Sequence, residues 1–367
     1  MQAMNFKILR EFPSPDLERA WRDYLTRVEF PAHYDAPEYF IEPLWGDRPL
    51  FAILAIENER GNEKVTGVLT GMHVGKHVMC GLSTRPQISV DPSGDTAAIL
   101  DTLAQGLLAE ASSAELVTVY TWSYLKLPPF SAHGFQCQEL EGDVVLDLTL
   151  GADALFKQFT KDRRRNIRFA EKNGVEISEV TTAQDIADSY AVYSAWRETE
   201  RKIIHHRKAS FEVFEKAANL KGNRLRLLAR VEGKPIAINS FRFFPGGLFE
   251  SAGNSSLDEF IHLKPNDLLQ WRGIEWACRH GLRRHSLGGA HQFLLRFGGT
   301  VIPILRYRLD RTWLHRHDLR DTVQGIGLRV VRKLPPSMEK AVRKLAGKEL
   351  AGKEKEKEKE KVKRPRT

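Results

Sequence analysis

Strand-like and helix-like runs alternate along this chain in an order that repeats once, and that order restricts the fold more than any other feature. In the first half, LFAILAIE (Leu50 to Glu57) and VTGVLTGMHV (Val65 to Val74) read as neighbouring strands across a polar turn at Asn58 to Lys64. HVMCGLS gives a third short strand. TAAILDTLAQGLLAEA follows with Leu100, Leu103, Leu107 and Ala111 at helical spacing, then the β-branched run ELVTVYTW, a loop at Pro128 and Pro129, and VVLDLTL near Leu150. The second half runs the same way. GVEISEV reads as a strand, and Ala187 to Arg197 and Phe211 to Leu220 as helices. RLRLLARV and IAINSFRFF form a hairpin through EGKP, and GLFESAG is the next strand. A helix opens at Pro265, where a missing N–H costs nothing, with Leu268, Trp271, Ile274 and Cys278 on one face. HSLGG returns to strand, and VIPILRYRL is expected to end the sheet.

The length, 367 residues, suits two domains plus extras. The boundaries fall at 1–150, 151–312, a helical extension 313–346 and a tail 347–367. The tail, with its Lys/Glu alternation and no apolar residues beyond a few, cannot bury a core. It carries +4 of the net +9, which leaves a mild +5 on the body, a surplus that suits phosphate-bearing ligands without implying nucleic acid. No recognition-helix or zinc-finger motif is present, so DNA is not an expected partner. Attachment of the tail to an acidic surface such as a membrane, through Lys361, Lys363, Arg364 and Arg366, competes with a plain solubilising role. No run approaches the roughly 18 apolar residues of a membrane span, and the N-terminus lacks a signal-peptide pattern. Cys80, Cys137 and Cys278 are odd in number and widely spaced, which argues against disulfides and zinc and points to the cytoplasm. His205 and His206 with Glu198 and Glu200 lack a sensible third ligand, so no metal is expected.

One segment stands apart. Read as a single helix at about 100° per residue, ALFKQFTKDRRRNIRFAEK places Phe156, Phe159, Ile167 and Ala170 in one arc and Lys157, Lys161, Arg164, Arg165, Arg168 and Lys172 opposite it. Asn173 and Gly174 then end it as a cap. Arg163 falls inside the apolar arc and Asn166 at its edge. A guanidinium there must snorkel out or find an anionic partner, either a ligand phosphate or carboxylate or an Asp or Glu of the protein.

Arg165-Asn166-Ile167-Arg168, with Ala170, Lys172, Gly174 and Val175, resembles the R-N-I-R/K-x-A-x-K-x-G-V signature of the FemA/FemB-like aminoacyltransferases, within the wider GNAT-like acyltransferase superfamily. Val145 to Leu148 before it, Lys264 to Leu269, Gly281, Ser286 to Gly289 and HQFLLRFGG (His291 to Gly299) are similar to further motifs of that family, in order, and the likeness spans about Leu50 to Asp310. Leu294 stands where the family usually has Lys, and Ser286 where it often has Asp. The resemblance implies an α/β (α+β) fold of two tandem GNAT-like domains. Each would be a mixed, largely antiparallel sheet flanked by helices, followed by a C-terminal helix and the charged tail.

It also implies acyl transfer, in which an acceptor amine attacks a thioester or an aminoacyl ester. The protein must orient two substrates, stabilise an oxyanion and move a proton. Glu250 and His291 are the candidate proton acceptors; Glu250 could instead pair with Arg242. Arg163, Arg165, Asn166, Arg168, Lys172, Asn266 and Arg296 are the candidate substrate-binding residues. No bound cofactor is expected; acyl-CoA, another acyl carrier or aminoacyl-tRNA would serve as co-substrate, and a small-molecule, peptide or saccharide amine as acceptor. The pyrophosphate loop usual in GNAT proteins is absent before Pro265, which leaves the helix N-terminus at Asn266 and the basic helix as anion sites. An aminoacyl-tRNA-dependent transferase of the cell envelope and a catalytically silent binding module are the competing readings.

Overall fold

The computed structural model describes residues 4–42, 45–59, 62–82, 85, 87–198, 210–219 and 223–319. The first half contributes β1 (Met4–Leu9), α1 (Pro15–Leu25), β2 (Leu50–Glu59), β3 (Asn62–Val74), β4 (His77–Cys80), β5 (Ile88–Val90), α2 (Thr96–Glu110), β6 (Leu116–Trp122), α3 (Pro128–Ala132) and β7 (Gln136–Asp147). After it come α4 (Ala152–Gln158), α5 (Lys161–Lys172), β8 (Glu176–Glu179), α6 (Ala183–Glu198), α7 (Phe211–Asn219), β9 (Arg224–Val231) and β10 (Lys234–Phe243). The chain then forms β11 (Leu248–Ser256), α8 (Pro265–Arg279), β12 (Arg284–Ser286), α9 (Gln292–Leu295) and β13 (Thr300–Asp310).

All of these strands join one sheet, in the order β1-β2-β3-β4-β6-β13-β7-β12-β11-β10-β9-β8, with β5 paired to β3. Most pairs are antiparallel, and two are parallel. β4 and β6 run parallel across α2, and β11 and β12 run parallel across α8. Each half thus carries a meander that ends in a parallel strand pair bridged by a helix, because parallel neighbours need a crossover long enough to hold one. The mixed, mostly antiparallel sheet flanked by helices is the one the sequence implied.

Two sequence expectations change, and one open alternative is decided. VIPILRYRL does not end the sheet: as β13 it lies between β6 and β7, at the seam of the two halves. There Leu305 and Tyr307 enter the first-half core, and the Tyr307 hydroxyl accepts the Leu127 N–H at 2.9 Å. The basic segment is two helices, broken at Phe159, whose extended backbone (ψ 146°) stops α4; Thr160 then starts α5, its hydroxyl accepting the Arg163 N–H. The partner of Arg163 is an internal one, Asp267 of α8, rather than a ligand.

The second-half core packs α5 and α8 on one face of β9 to β11, around Ile167, Ala170, Leu268, Leu269, Phe241 and Phe249. Phe241 and Phe249 stack with centroids 4.6 Å apart. Gly273 lets α8 approach that closely, since a Cβ there would sit 2.5 Å from the Phe241 Cζ. Asp310 opens a second compact unit, in which its carboxylate accepts the N–H groups of Thr312, His317 and Asp318. Most of the expected helical extension, the charged tail, Glu200, His205 and His206 lie outside the described residues. Among the described residues no helix is long and apolar enough to cross a membrane.

Candidate active site

The parallel pairing of β11 with β12 stops early. Leu248, Phe249 and Glu250 face Arg284, His285 and Ser286, and no further pairs form. β11 continues to Ser256 alongside β10 alone, while the chain after Ser286 turns away, with the Leu287 N–H donated to Val144 O at 2.9 Å. Between the parting strands lies a pocket of about 370 Å³, walled by Ser251, Gln270, Leu287 and Gly288, with His291 and Asn266 at its sides. A strand edge without a neighbour leaves backbone donors and acceptors available to a ligand lying along it.

The walls are held by polar side chains buried beneath them. His285, fully buried on β12, sets Nδ1 2.9 Å from Phe249 O, and its Nε2 lies 2.7 Å from the Gln270 amide nitrogen. Burial pushes the imidazole down to about 4, against the pull of the Phe249 carbonyl, so it stays neutral. A neutral ring that donates from Nδ1 must accept at Nε2. Gln270 therefore donates to it, and its Oε1 accepts from Asn239 Nδ2 at 3.0 Å. Strands β10, β11 and β12 and helix α8 are tied by one directed chain of hydrogen bonds.

Asp143 of β7 does the same for the turn. Its Oδ1 accepts the Gly288 and Gly289 N–H groups at 3.0 and 2.7 Å, and its Oδ2 accepts the Ser286 hydroxyl at 2.5 Å. Gly288 and Gly289 take φ of 87° and 146°, conformations a side chain would strain. Burial raises the Asp143 carboxyl to about 6 in spite of these three donors. A carboxylate is thus present beside Ser286, supplied by the adjacent strand instead of by residue 286 itself. The sequence offered only Asp143 within EGDVVLD, with no local signal that register would bring it to β12.

Glu250 is fully buried, and neither carboxylate oxygen has a hydrogen-bond partner. It does not pair with Arg242, although the two face each other across β10 and β11. Arg242 Nε donates instead to Glu42 Oε2 at 3.1 Å. Burial raises the Glu250 carboxyl to about 7, against the pull of Arg85 and Arg242 and with the help of Asp143. The carboxylate sits behind the pocket wall, one residue from Ser251, whose carbonyl accepts the Arg85 Nη2 at 2.9 Å. Arg85, another residue without a sequence signal, lines the pocket itself.

The other candidates divide into two groups. His291, exposed at the start of α9, and Asn266 line the pocket; the Asn266 amide nitrogen donates to Ser256 Oγ at 3.2 Å, and its Oδ1 is buried without a partner. Arg163 belongs to the core. It pairs with Asp267, donates to Phe293 O at 2.8 Å and lies 4.0 and 4.5 Å over the Phe293 and Phe297 rings. Arg165, Arg168 and Lys172 are exposed on α5, Arg165 in an ion pair with Asp162 at 3.1 Å and Arg168 over the Phe156 ring. Asn166 is half-buried there, and Arg296 is exposed. None of these six residues lines the pocket. Leu294, in place of the family's Lys, is buried in the core and forms part of the pocket wall.

Residues 157–297 match the family model described as an acetyltransferase (GNAT) domain. Three solved structures share the fold over nearly their full length. FemX is 13% identical with a TM-score of 0.62, covering 83% of this chain and 98% of its own. L-PGS from Bacillus licheniformis is 12% identical with a TM-score of 0.57, covering 89% and 99%. A tandem GNAT protein from the clavulanic acid biosynthesis pathway is 13% identical with a TM-score of 0.54, covering 85% and 99%. No curated protein sequence matches. The fold is the FemAB-like GNAT fold that the sequence motifs implied.

Proposed function

We propose that this GNAT-fold protein is an N-acyltransferase that takes its acyl group from a CoA-type thioester held in the wedge between β11 and β12. The observation that carries this reading is the early end of the β11–β12 pairing. It leaves one strand edge open along a pocket of a size to admit the linear arm of a thioester donor. The carbonyl of the donor would lie along that edge, where backbone N–H groups can meet the developing oxyanion.

The reaction requires little of the protein beyond placement. The acceptor amine attacks the thioester carbon, a C–N bond forms, the C–S bond breaks, and the thiolate leaves and takes a proton from solvent. The amine must lose a proton on the way. In this reading His291 accepts it, supported by its being exposed and among the residues that line the pocket. Glu250, buried and outside the pocket lining, takes no step in this reading.

Thiol release from a panel of acyl-CoA thioesters with simple amines tests this. His291→Gln should reduce turnover by about 10²- to 10⁴-fold and leave donor binding unchanged. The reading fails if no acyl-CoA releases thiol and none raises the melting temperature. A second reading has its own observation: Arg165, Arg168 and Lys172 present an exposed cationic face on α5 that suits an aminoacyl-tRNA donor. Stabilisation by aminoacyl-tRNA and not by CoA thioesters would favour it.

A further inference from the structure

A second pocket, of about 300 Å³, opens on the same strands and shares Gly253 and Asn254 with the first. Its wall carries three arginines. Register dictates why. Arg224 and Arg226, two apart on β9, point to one face of the sheet, and on β10 Arg242 lies directly opposite Arg224 while Ser240 lies opposite Arg226. Like charges facing each other across two strands are unfavourable, so the arrangement needs anions to hold it.

Among the described residues, carboxylates paired to these arginines are fewer than the arginines. Glu42 Oε2 accepts from both Arg224 and Arg242 and also lies 3.0 Å from the buried His33 Nε2. Burial alone would raise the Glu42 carboxyl, but Arg242, His33 and Arg224 hold it well below its usual range, so it brings one full negative charge against three positive ones. Glu250 faces Arg242 without bonding to it, and Glu179 is an exposed residue of the rim. Arg226 has no carboxylate: its Nε donates to Ser240 Oγ at 3.2 Å, and its guanidinium lies 3.8 Å over the Phe214 ring. Each of the three arginines keeps one buried nitrogen without a hydrogen-bond partner, Nε of Arg224, Nη1 of Arg226 and Nη1 of Arg242. Unmet donors on three cations around a single cavity suit it to bind an anion.

We infer that this pocket holds the acceptor substrate by an anionic group, a phosphate or a carboxylate, clasped by Arg224, Arg226 and Arg242. The aromatic side, with Tyr193, Trp196 and Phe214, would take the apolar or ring part of the same molecule. This deepens the acyltransferase reading and rests on it: the acceptor is an amine that also bears an anion, and the shared Gly253 and Asn254 are where its amine meets the donor carbonyl.

Titration calorimetry of the full chain, with inorganic phosphate and with acetate as probes, tests the site without any turnover. Saturable binding of either anion is expected, and Arg226→Gln should weaken it by about tenfold while Arg226→Lys, which keeps the charge, loses less. Circular dichroism and melting of both variants establish that they fold; if Arg226→Gln does not, the lysine variant and Arg224→Lys carry the comparison. Phosphate bound in preference to acetate assigns a phosphorylated acceptor, and the reverse a carboxylated one. Absence of saturable binding to the wild-type chain, equal affinity in wild type and variants, or displacement of the anion by saturating CoA would overturn the inference. Anion binding that persists in a chain that binds no CoA thioester would sink the donor assignment and leave the anion pocket standing.

Discussion

Removing the Glu250 carboxylate should change how the fold responds to pH. The group is fully buried with no hydrogen-bond partner on either oxygen, and its carboxyl is raised from 4.5 to about 7. The folded protein therefore keeps this proton in a range where the unfolded chain has released it. Stability is unaffected by the group below about pH 4.5, declines as pH rises through the interval, and carries the full penalty above about pH 7. A shift of that size, at about 1.4 kcal/mol per pH unit, amounts to about 3 kcal/mol. Glu250→Gln has nearly the same shape and no ionisation. Urea unfolding of both proteins between about pH 4.5 and 8 should show the stability difference moving in favour of the glutamine by about 3 kcal/mol. Asp143, raised to about 6, titrates in the same window in both proteins, and its charge contributes to the Glu250 shift. A difference that stays flat with pH would refute the reasoning and mean that the carboxylate ionises in the fold at no cost.

Two further outcomes test the packing that holds the site. Asp267→Asn leaves the buried Arg163 without its counter-charge and should cost about 3–5 kcal/mol, whereas Arg163→Met combined with Asp267→Leu should recover most of that in the same unfolding assay. Gly273→Ala places a Cβ 2.5 Å from the Phe241 Cζ and should destabilise by about 1–3 kcal/mol. A melting temperature equal to that of the wild type would show that α8 can lift from β10 freely.

The elements were legible in the sequence where a local rule governs them. The hairpin at EGKP forms with Glu232 and Gly233 at φ of 49° and 76°, as its glycine suggests, and α8 begins at Pro265. The family motifs also led to the second-half fold. What the sequence hid depends on register and long-range approach. Arg163 was recognisable as an arginine in an apolar arc, but its partner lies about a hundred positions later on α8. Asp143 and Ser286 become neighbours only because β7 pairs with β12. The arginine cluster needs β9 and β10 in one register, and Glu42 from a segment far upstream. The departure at residue 286 looked like a lost charge, and the fold returns that charge from another strand.

The place of β13 bears on how the molecule is made. The strand that fills the gap between β6 and β7 is the last of the sheet to leave the ribosome. Until residue 310 or so has emerged, the first half has every strand of its own and still lacks its neighbour at the seam. β6 and β7 then present open edges, which invite pairing with other chains. Completion waits for a contact between residues some 170 positions apart, such as Arg308 with Gln136, and long-range closure of this kind is slow. The seam that unites the two halves is also the step at which a nascent chain is most exposed to aggregation.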